Sequence, residues 1–382
     1  MIILKKIYLD HSATTRVRMD VLNAMIPYYY DEYGNPSSLY SIGRTAKKAI
    51  EHAREQVAHA INCDPSEIYF TSCGSESDNL AIKGVAYANK NKGKHIITSK
   101  IEHPAILNTC KNLENKGFRV SYIDCDEKGF VDINQLEKAI CGDTIIISIM
   151  TANNEIGTIQ NVEEIGKIAH KYGIIFHTDA VQAIGNVKID VSKMNIDMLS
   201  MSAHKFYGPK GVGVLYVRNG INFERVQDGG HQEKNKRSGT ENVAGIVGLG
   251  KAIEIANGRI NRYNEYLLGL RKYFIDEITK RIKEIRVNGD LNQRLPGNIN
   301  VSFKNKDSSE ILLQLDRSGI CASGGSACSS GESSPSHVLS AIKVPSEWIN
   351  GTIRLTLGEE NTISEVDRVM EILKDAVSVL RE

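Results

Sequence analysis

Between residues 66 and 217 the chain alternates short apolar, β-rich runs with longer stretches of mixed periodicity. The runs are EIYFT (67–71), HIITS (95–99), FRVSYI (118–123), TIIISIM (144–150), GIIFHTDA (173–180), DMLSMSA (197–203) and GVLYV (213–217). Runs of this length that stay apolar on both faces read as strands buried on both sides. Between them lie helical patterns such as DINQLEKAI and NVEEIGKIAHKYG, the second ending at Gly173, a common helix terminator. This alternation predicts an α/β doubly wound unit with a mostly parallel seven-stranded sheet flanked by helices.

Beyond the loop around 228–242 the pattern changes. A long charged helical stretch (about 243–283) leads to IRVNG, NINVSF, the helix-like SSEILLQLDRSG, TIRLTLG and a last helix from Ser364. We expect a smaller C-terminal α/β domain over 261–382, joined by residues 1–11, beside a large domain over 12–260. Inside the small domain, residues 321–336 carry seven serines and three glycines around Cys328. Such a composition favours mobility over packing, and predicts a mobile loop. The residues alone leave open a linker with an incidental thiol or a reactive cysteine on a flexible arm.

Composition narrows the function classes. With 47 basic and 46 acidic residues the net charge is +1, and no single-sign run suggests nucleic-acid or polybasic membrane contacts. The opening MIILKKIYLDHSATT lacks a signal-peptide pattern, and no stretch approaches the roughly 20 apolar residues of a membrane span. The seven cysteines, without a Cys-x-x-Cys pair, suggest neither a disulfide framework nor a resident metal. A cytoplasmic protein with small-molecule or protein partners is expected.

Ligands of open α/β sheets bind beyond the carboxyl ends of the strands, and four such ends here are polar. After EIYFT, the turn SCGSESDN opens a helix whose first N–H groups would suit a phosphate, although Ser at a helix start is also ordinary capping. After HIITS, His103 precedes a proline and reads locally as a helix cap. Asp179 ends the apolar GIIFHTD run, close to Gln182 at the expected start of a helix; a carboxylate there needs a partner or a cap. His204 and Lys205 follow DMLSMSA and precede a Gly-Pro-Lys-Gly turn, where a lysine on its own is usually a surface residue. An acid for a pyridinium together with a lysine for a Schiff base is what a pyridoxal phosphate site requires.

YLDHSATT, GNPSS, TSCGSESDNLAIKG, EHPAIL, NNEIGTIQ, TDAVQAIG, SAHKFYGPKG, RSGTEN, GSAC and IRLTLG follow one another over residues 7–375. In these motifs and their order the chain resembles the cysteine desulfurases of the NifS/IscS type, class-V aminotransferases of PLP fold type I. The resemblance implies a pyridoxal 5'-phosphate enzyme, a homodimer, that converts L-cysteine to L-alanine and passes the sulfur to an acceptor or iron–sulfur scaffold protein. Carried over, Lys205 would be the Schiff-base lysine, Asp179 the partner of the pyridinium, Gln182 the partner of the phenolic oxygen, and His103 the stacking and catalytic histidine. Gly74, Ser75, Ser202 and His204 would hold the phosphate with Thr240 of a second subunit, and Asn154 would line the cofactor. Arg354, a planar bidentate donor, would clamp the substrate carboxylate with help from Asn35. Cys328 would take the substrate sulfur as a persulfide, and could ligate a cluster transiently during transfer.

Some residues depart from the usual pattern. Cys73 stands where many relatives have glycine, and Ser75 where threonine is usual; serine keeps the hydroxyl. Cys321, seven residues before Cys328, reads as packing at the loop base in preference to a resolving thiol. The long segment after Cys328 is that of members serving iron–sulfur scaffolds, and the chain's end at Glu382 together with RSGTEN favours the NifS-like branch. The alternatives are a selenocysteine lyase, a same-fold aminotransferase, which needs no cysteine at 328, and a silent binding protein, disfavoured by the retention of Lys205, Asp179, His103 and Cys328.

Overall fold

The computed structural model describes residues 6–324 and 335–379. Its strands, in chain order, are β1 (Ile7–Tyr8), β2 (Ile68–Thr71), β3 (His95–Ser99), β4 (Arg119–Ile123), β5 (Thr144–Ser148), β6 (Ile175–Asp179), β7 (Met198–Ser202), β8 (Gly213–Val217), β9 (Ile285–Val287), β10 (Asn298–Phe303), β11 (Ile320–Cys321), β12 (Ser323–Gly324) and β13 (Thr352–Thr356). The seven strands β2 to β8 form one sheet, ordered β2-β8-β7-β6-β5-β3-β4. Only β8 runs against its neighbours, pairing antiparallel with β2 and β7. The other ladders are parallel, so β2, β3, β5, β6 and β7 all direct their carboxyl ends to one edge. Residues such as Ile96, Ile97, Ile146, Ile147, Phe176 and Leu199 have no exposure, which is why these runs lack the polar alternation of a half-exposed strand.

A second sheet, β12-β13-β10-β9, is antiparallel throughout and carries its own core of Phe274, Ile299, Val301, Leu315, Leu355 and Leu373. The 39-residue helix Val243–Arg281 connects the two bodies. Asn242 caps its start, with Oδ1 accepting from Gly245 N at 3.1 Å. Its first turns bury Ile246, Leu249 and Ile253 in the large core. Further along, Leu267, Leu270, Phe274 and Ile278 lie in the small one.

Two sequence expectations change. Gln182 starts no helix: residues 181–186 form successive turns, because Asp179 Oδ1 accepts from Val181 N at 2.9 Å and closes the chain locally. The expected loop over 321–336 is held at both ends, Ser323 and Gly324 pairing with Arg354 and Ile353, and Ser336 capping the helix His337–Ala341. Cys328 lies outside the described residues.

Candidate active site

Five strand ends and the LDHSA segment enclose a cavity of about 220 Å³. Its wall includes Gly74, Ser75, Asp78, His103, Asn154, Asp179, Gln182, Ser202, His204, Lys205 and Arg354. Residues from Ser12 to Arg354, 342 positions apart in sequence, thus meet around one cavity.

The turn after β2 leads into the helix Gly74–Asn89, whose first residue is a glycine for a spatial reason. A Cβ on Gly74 would lie 2.6 Å from Val181 Cγ2, so the backbone can approach the cavity only without a side chain. Ser75 is exposed beside it, and Ser202 Oγ is buried with no hydrogen-bond partner among the described residues. Free N–H groups of a helix start, a hydroxyl with an open valence and the nearby His204 make an anion site. His204 Nδ1 lies 3.1 Å from Thr14 Oγ1, and burial, with Lys205 and Lys210 nearby, lowers its pKa to about 4. It is therefore a neutral donor or acceptor at physiological pH.

Asp179 is 6 % exposed at the end of β6. Burial raises its pKa, while His103, the Val181 N–H and Lys205 oppose the rise. A cation placed against it would restore the ionised form. His103 does cap its helix, as the local reading expects: Nδ1 accepts from Ala105 N at 3.1 Å. The same ring lines the cavity, and burial lowers its pKa. Capping and facing a ligand are compatible because the cap uses Nδ1 and leaves the ring face open.

Lys205 Nζ donates to Ser12 O and to Ala13 O, the latter at 2.9 Å. Gln182 Nε2 donates to the same Ser12 O at 3.0 Å. Arg354, 1 % exposed, donates from Nη1 to Asn154 O at 3.0 Å and from Nη2 to Asp10 Oδ1 at 2.9 Å. Asn35 and Thr240 do not join this wall. Asn35 is exposed with its side-chain oxygen accepting from Ser37 N, and Thr240 is exposed beside a separate small cavity with Ser72 and Arg237.

Sequence reasoning assigned no role to three carboxylates at or behind this wall. Asp78 sits one helical turn after Gly74, and burial plus Asp179 raise its pKa well above the ordinary value. His177 bridges Ser148 Oγ (2.9 Å) and Ser200 Oγ (3.0 Å) beneath it, and burial keeps the ring neutral, its pKa lowered to about 3. Glu102, next to His103, accepts from Ser99 Oγ at 2.6 Å and Met150 N at 3.0 Å, and burial raises its pKa to about 8. Asp10 was visible only as a letter of YLDHSATT. A helix-face count from Gly74 would have flagged Asp78; Asp10 and Glu102 needed the fold.

A lysine and a buried carboxylate on adjacent strand ends, an anion cradle at a helix start and an arginine across the cavity define a pyridoxal phosphate enzyme of fold type I. Residues 7–369 match the Aminotransferase class-V family, and the chain belongs to it. It is 53 % identical over 380 residues to the cysteine desulfurase IscS of Clostridium botulinum, covering 99 % of this chain and 96 % of that one. The cysteine desulfurase IscS of Methanosarcina thermophila is 54 % identical over 377 residues, 99 % and 93 % of the two chains. Among solved structures, a NifS-like protein superposes with a TM-score of 0.93 at 40 % identity, over 98 % of this chain and 100 % of that one. Both branch names thus occur among its relatives.

The family's cofactor is pyridoxal phosphate, and the residues present fit it. The space that a Cβ at Gly74 would remove and the open valence of Ser202 Oγ suit the phosphate. Asp179 offers the buried negative charge that a protonated ring nitrogen needs. Among the described residues there is no group of three or more His, Cys, Asp or Glu placed to hold a metal ion, and no helix long and apolar enough to cross a membrane.

Proposed function

We propose that the chain is a cysteine desulfurase that converts L-cysteine to L-alanine, keeps the sulfur as a persulfide on Cys328 and supplies it to iron–sulfur cluster assembly in the cytoplasm. The reading rests on one observation: Lys205, Asp179 and Arg354 line a single concave cavity, where a few convergent polar groups can orient a small-molecule ligand.

When bound, pyridoxal phosphate supplies an electron sink that makes the substrate Cα–H acidic and the C–S bond labile. Asp179 would hold the proton on the ring nitrogen, Gln182 would hydrogen-bond the phenolic oxygen, and His103 would lie against the ring. Gly74, Ser75, Ser202 and His204 would hold the phosphate. Arg354 receives the substrate carboxylate, which fixes the Cα–H towards the Lys205 amine. Lys205 takes that proton and later returns one to the carbon skeleton. Cys328 attacks the substrate sulfur as a thiolate: an S–S bond forms, the C–S electron pair stays with the carbon fragment, and that fragment gains protons to become alanine. A sulfur-acceptor or scaffold protein then takes the terminal sulfur.

The active form is a homodimer in this reading. Met19, Ile26, Tyr29, Tyr30, Tyr33, Leu39 and Tyr40 are each more than half exposed, an apolar surface that a second copy would cover. The exposed Thr240 would then reach the partner's phosphate site, and Asn35 the substrate.

Peptide mapping after reaction with L-cysteine in the absence of a reductant tests this. One added sulfur atom is expected on Cys328, and Cys328→Ala should lose sulfide release while the cofactor still binds. Full turnover by Cys328→Ala would refute the desulfurase reading in favour of an aminotransferase.

A further inference from the structure

The segment Asp10–Ala13 is a junction for the cavity. Ser12 and Ala13 carbonyls accept from Lys205, and the Ser12 carbonyl also accepts from Gln182. Asp10 makes the two remaining links with one carboxylate: Oδ1 accepts from Arg354 Nη2 at 2.9 Å, and Oδ2 from Ser323 Oγ at 2.6 Å. Ser323 and Arg354 are also direct partners across the β12–β13 ladder. The Asp10 carboxylate thus joins the Arg354 and Ser323 side chains, the β12–β13 ladder joins the backbones of the same two residues, and Arg354 carries the arrangement to the cavity wall.

Arg354 is built to take a second anion. Its side chain is 2 % exposed, so the guanidinium needs a resident counter-charge, which Asp10 provides. A guanidinium has five N–H donors. The hydrogen bonds to Asn154 O and Asp10 Oδ1 leave donors over, and Nε is buried without a partner among the described residues. An incoming carboxylate at those donors lies close to the Asp10 carboxylate, and the like charges repel in a poorly solvated site.

On the reading that Arg354 receives the substrate carboxylate, we propose that Asp10 is a positioning residue that holds Arg354 until the amino acid arrives and competes with it, and that Ser323 sets the strength of that hold. With Oδ2 occupied by the Ser323 hydroxyl, Asp10 offers Arg354 a single oxygen. Without the hydroxyl the carboxylate can turn both oxygens to the guanidinium, the stronger bidentate arrangement. Carboxylate arrival is therefore felt at Ser323, five residues before Cys328 in the chain.

The competition has a signature that a plain orienting role lacks. The cofactor-loaded protein is titrated with L-alanine, which carries the carboxylate but no sulfur, and binding is followed by calorimetry and by the absorbance of the bound cofactor. Asp10→Asn should tighten L-alanine binding by about tenfold, the effect of removing one nearby like charge. Ser323→Ala should weaken it by about threefold, the effect of one hydrogen bond. The double variant should match Asp10→Asn alone, because Ser323 acts only through Asp10. Weaker binding in Asp10→Asn, or a Ser323→Ala effect that persists beside it, overturns the proposal; so does unchanged binding in Ser323→Ala, a variant mild enough to fold. Arg354→Ala separates the two layers: if it binds L-alanine as the parent does, the assignment of the carboxylate to Arg354 is wrong whatever Asp10 does.

Discussion

Glu102 is the residue through which the site's construction can be read most quantitatively. It has no exposure, its Oε1 accepts from Ser99 Oγ and Met150 N, and its Oε2 has no partner among the described residues. Burial raises its pKa from the ordinary 4.5 to about 8. The native protein therefore holds a proton that the unfolded chain has already lost above pH 4.5. Native protons exceed unfolded protons across that window, so stability falls as pH rises from 4.5 to about 8 and is level on either side. At about 1.4 kcal/mol per pH unit, the ceiling of this loss is about 5 kcal/mol. Relaxation of the interior around a buried charge keeps the realised loss lower, and about 2 kcal/mol is expected. Glu102→Gln is the isosteric neutral substitution: the amide oxygen can keep both hydrogen bonds, and nothing titrates. Urea unfolding of the cofactor-free proteins should give matching stabilities at about pH 4 and a gain of about 2 kcal/mol for the variant at about pH 8.5. Equal differences at the two pH values would refute the buried, protonated carboxyl. The same substitution bears on the site, since Glu102 ties the His103 cap to Met150 of the cavity wall.

Two further substitutions probe the cradle and its support. Gly74→Ala places a methyl 2.6 Å from Val181 Cγ2, overpacking that costs about 1–3 kcal/mol and pushes on the residue whose N–H fixes Asp179. The variant should lose its cofactor on gel filtration, seen by absorbance; retention at parent affinity would contradict the phosphate assignment. Arg54→Ala breaks a bidentate pair with Glu233, whose side chains are 6 % and 3 % exposed, and frees the edge strand β2 that Glu233 holds through Phe70 N at 2.8 Å. The stranded carboxylate should cost about 3–5 kcal/mol in urea unfolding, and a loss below about 1 kcal/mol would show that the pair carries no such load.

The sheet was legible because its inner strands are buried on both faces and their apolar runs have no competing local explanation; HIITS and GVLYV coincide with β3 and β8, and EIYFT with β2 to within one residue, while the edge strand β4 is largely half-buried. Chemistry at the strand ends was legible wherever a polar residue interrupts an apolar run, as at Asp179 and Lys205. Gln182 was placed on a helix because a hydrophobic pattern does not record the Asp179 side chain closing a turn on Val181. Asp10 and Glu102 were missed because their partners, Arg354 and Met150, are distant in sequence and become neighbours only when strands align. Asn35 and Thr240 are exposed and do not line their own chain's cavity, and a second copy is needed to use them in the proposed way.

The most direct test measures alanine and sulfide together in one reaction of the cofactor-loaded protein with L-cysteine and a reductant. Equal amounts of the two products are expected from the parent chain and neither from Lys205→Ala. Sulfide without alanine from the parent, or both products from Lys205→Ala, would contradict a desulfurase built on Lys205.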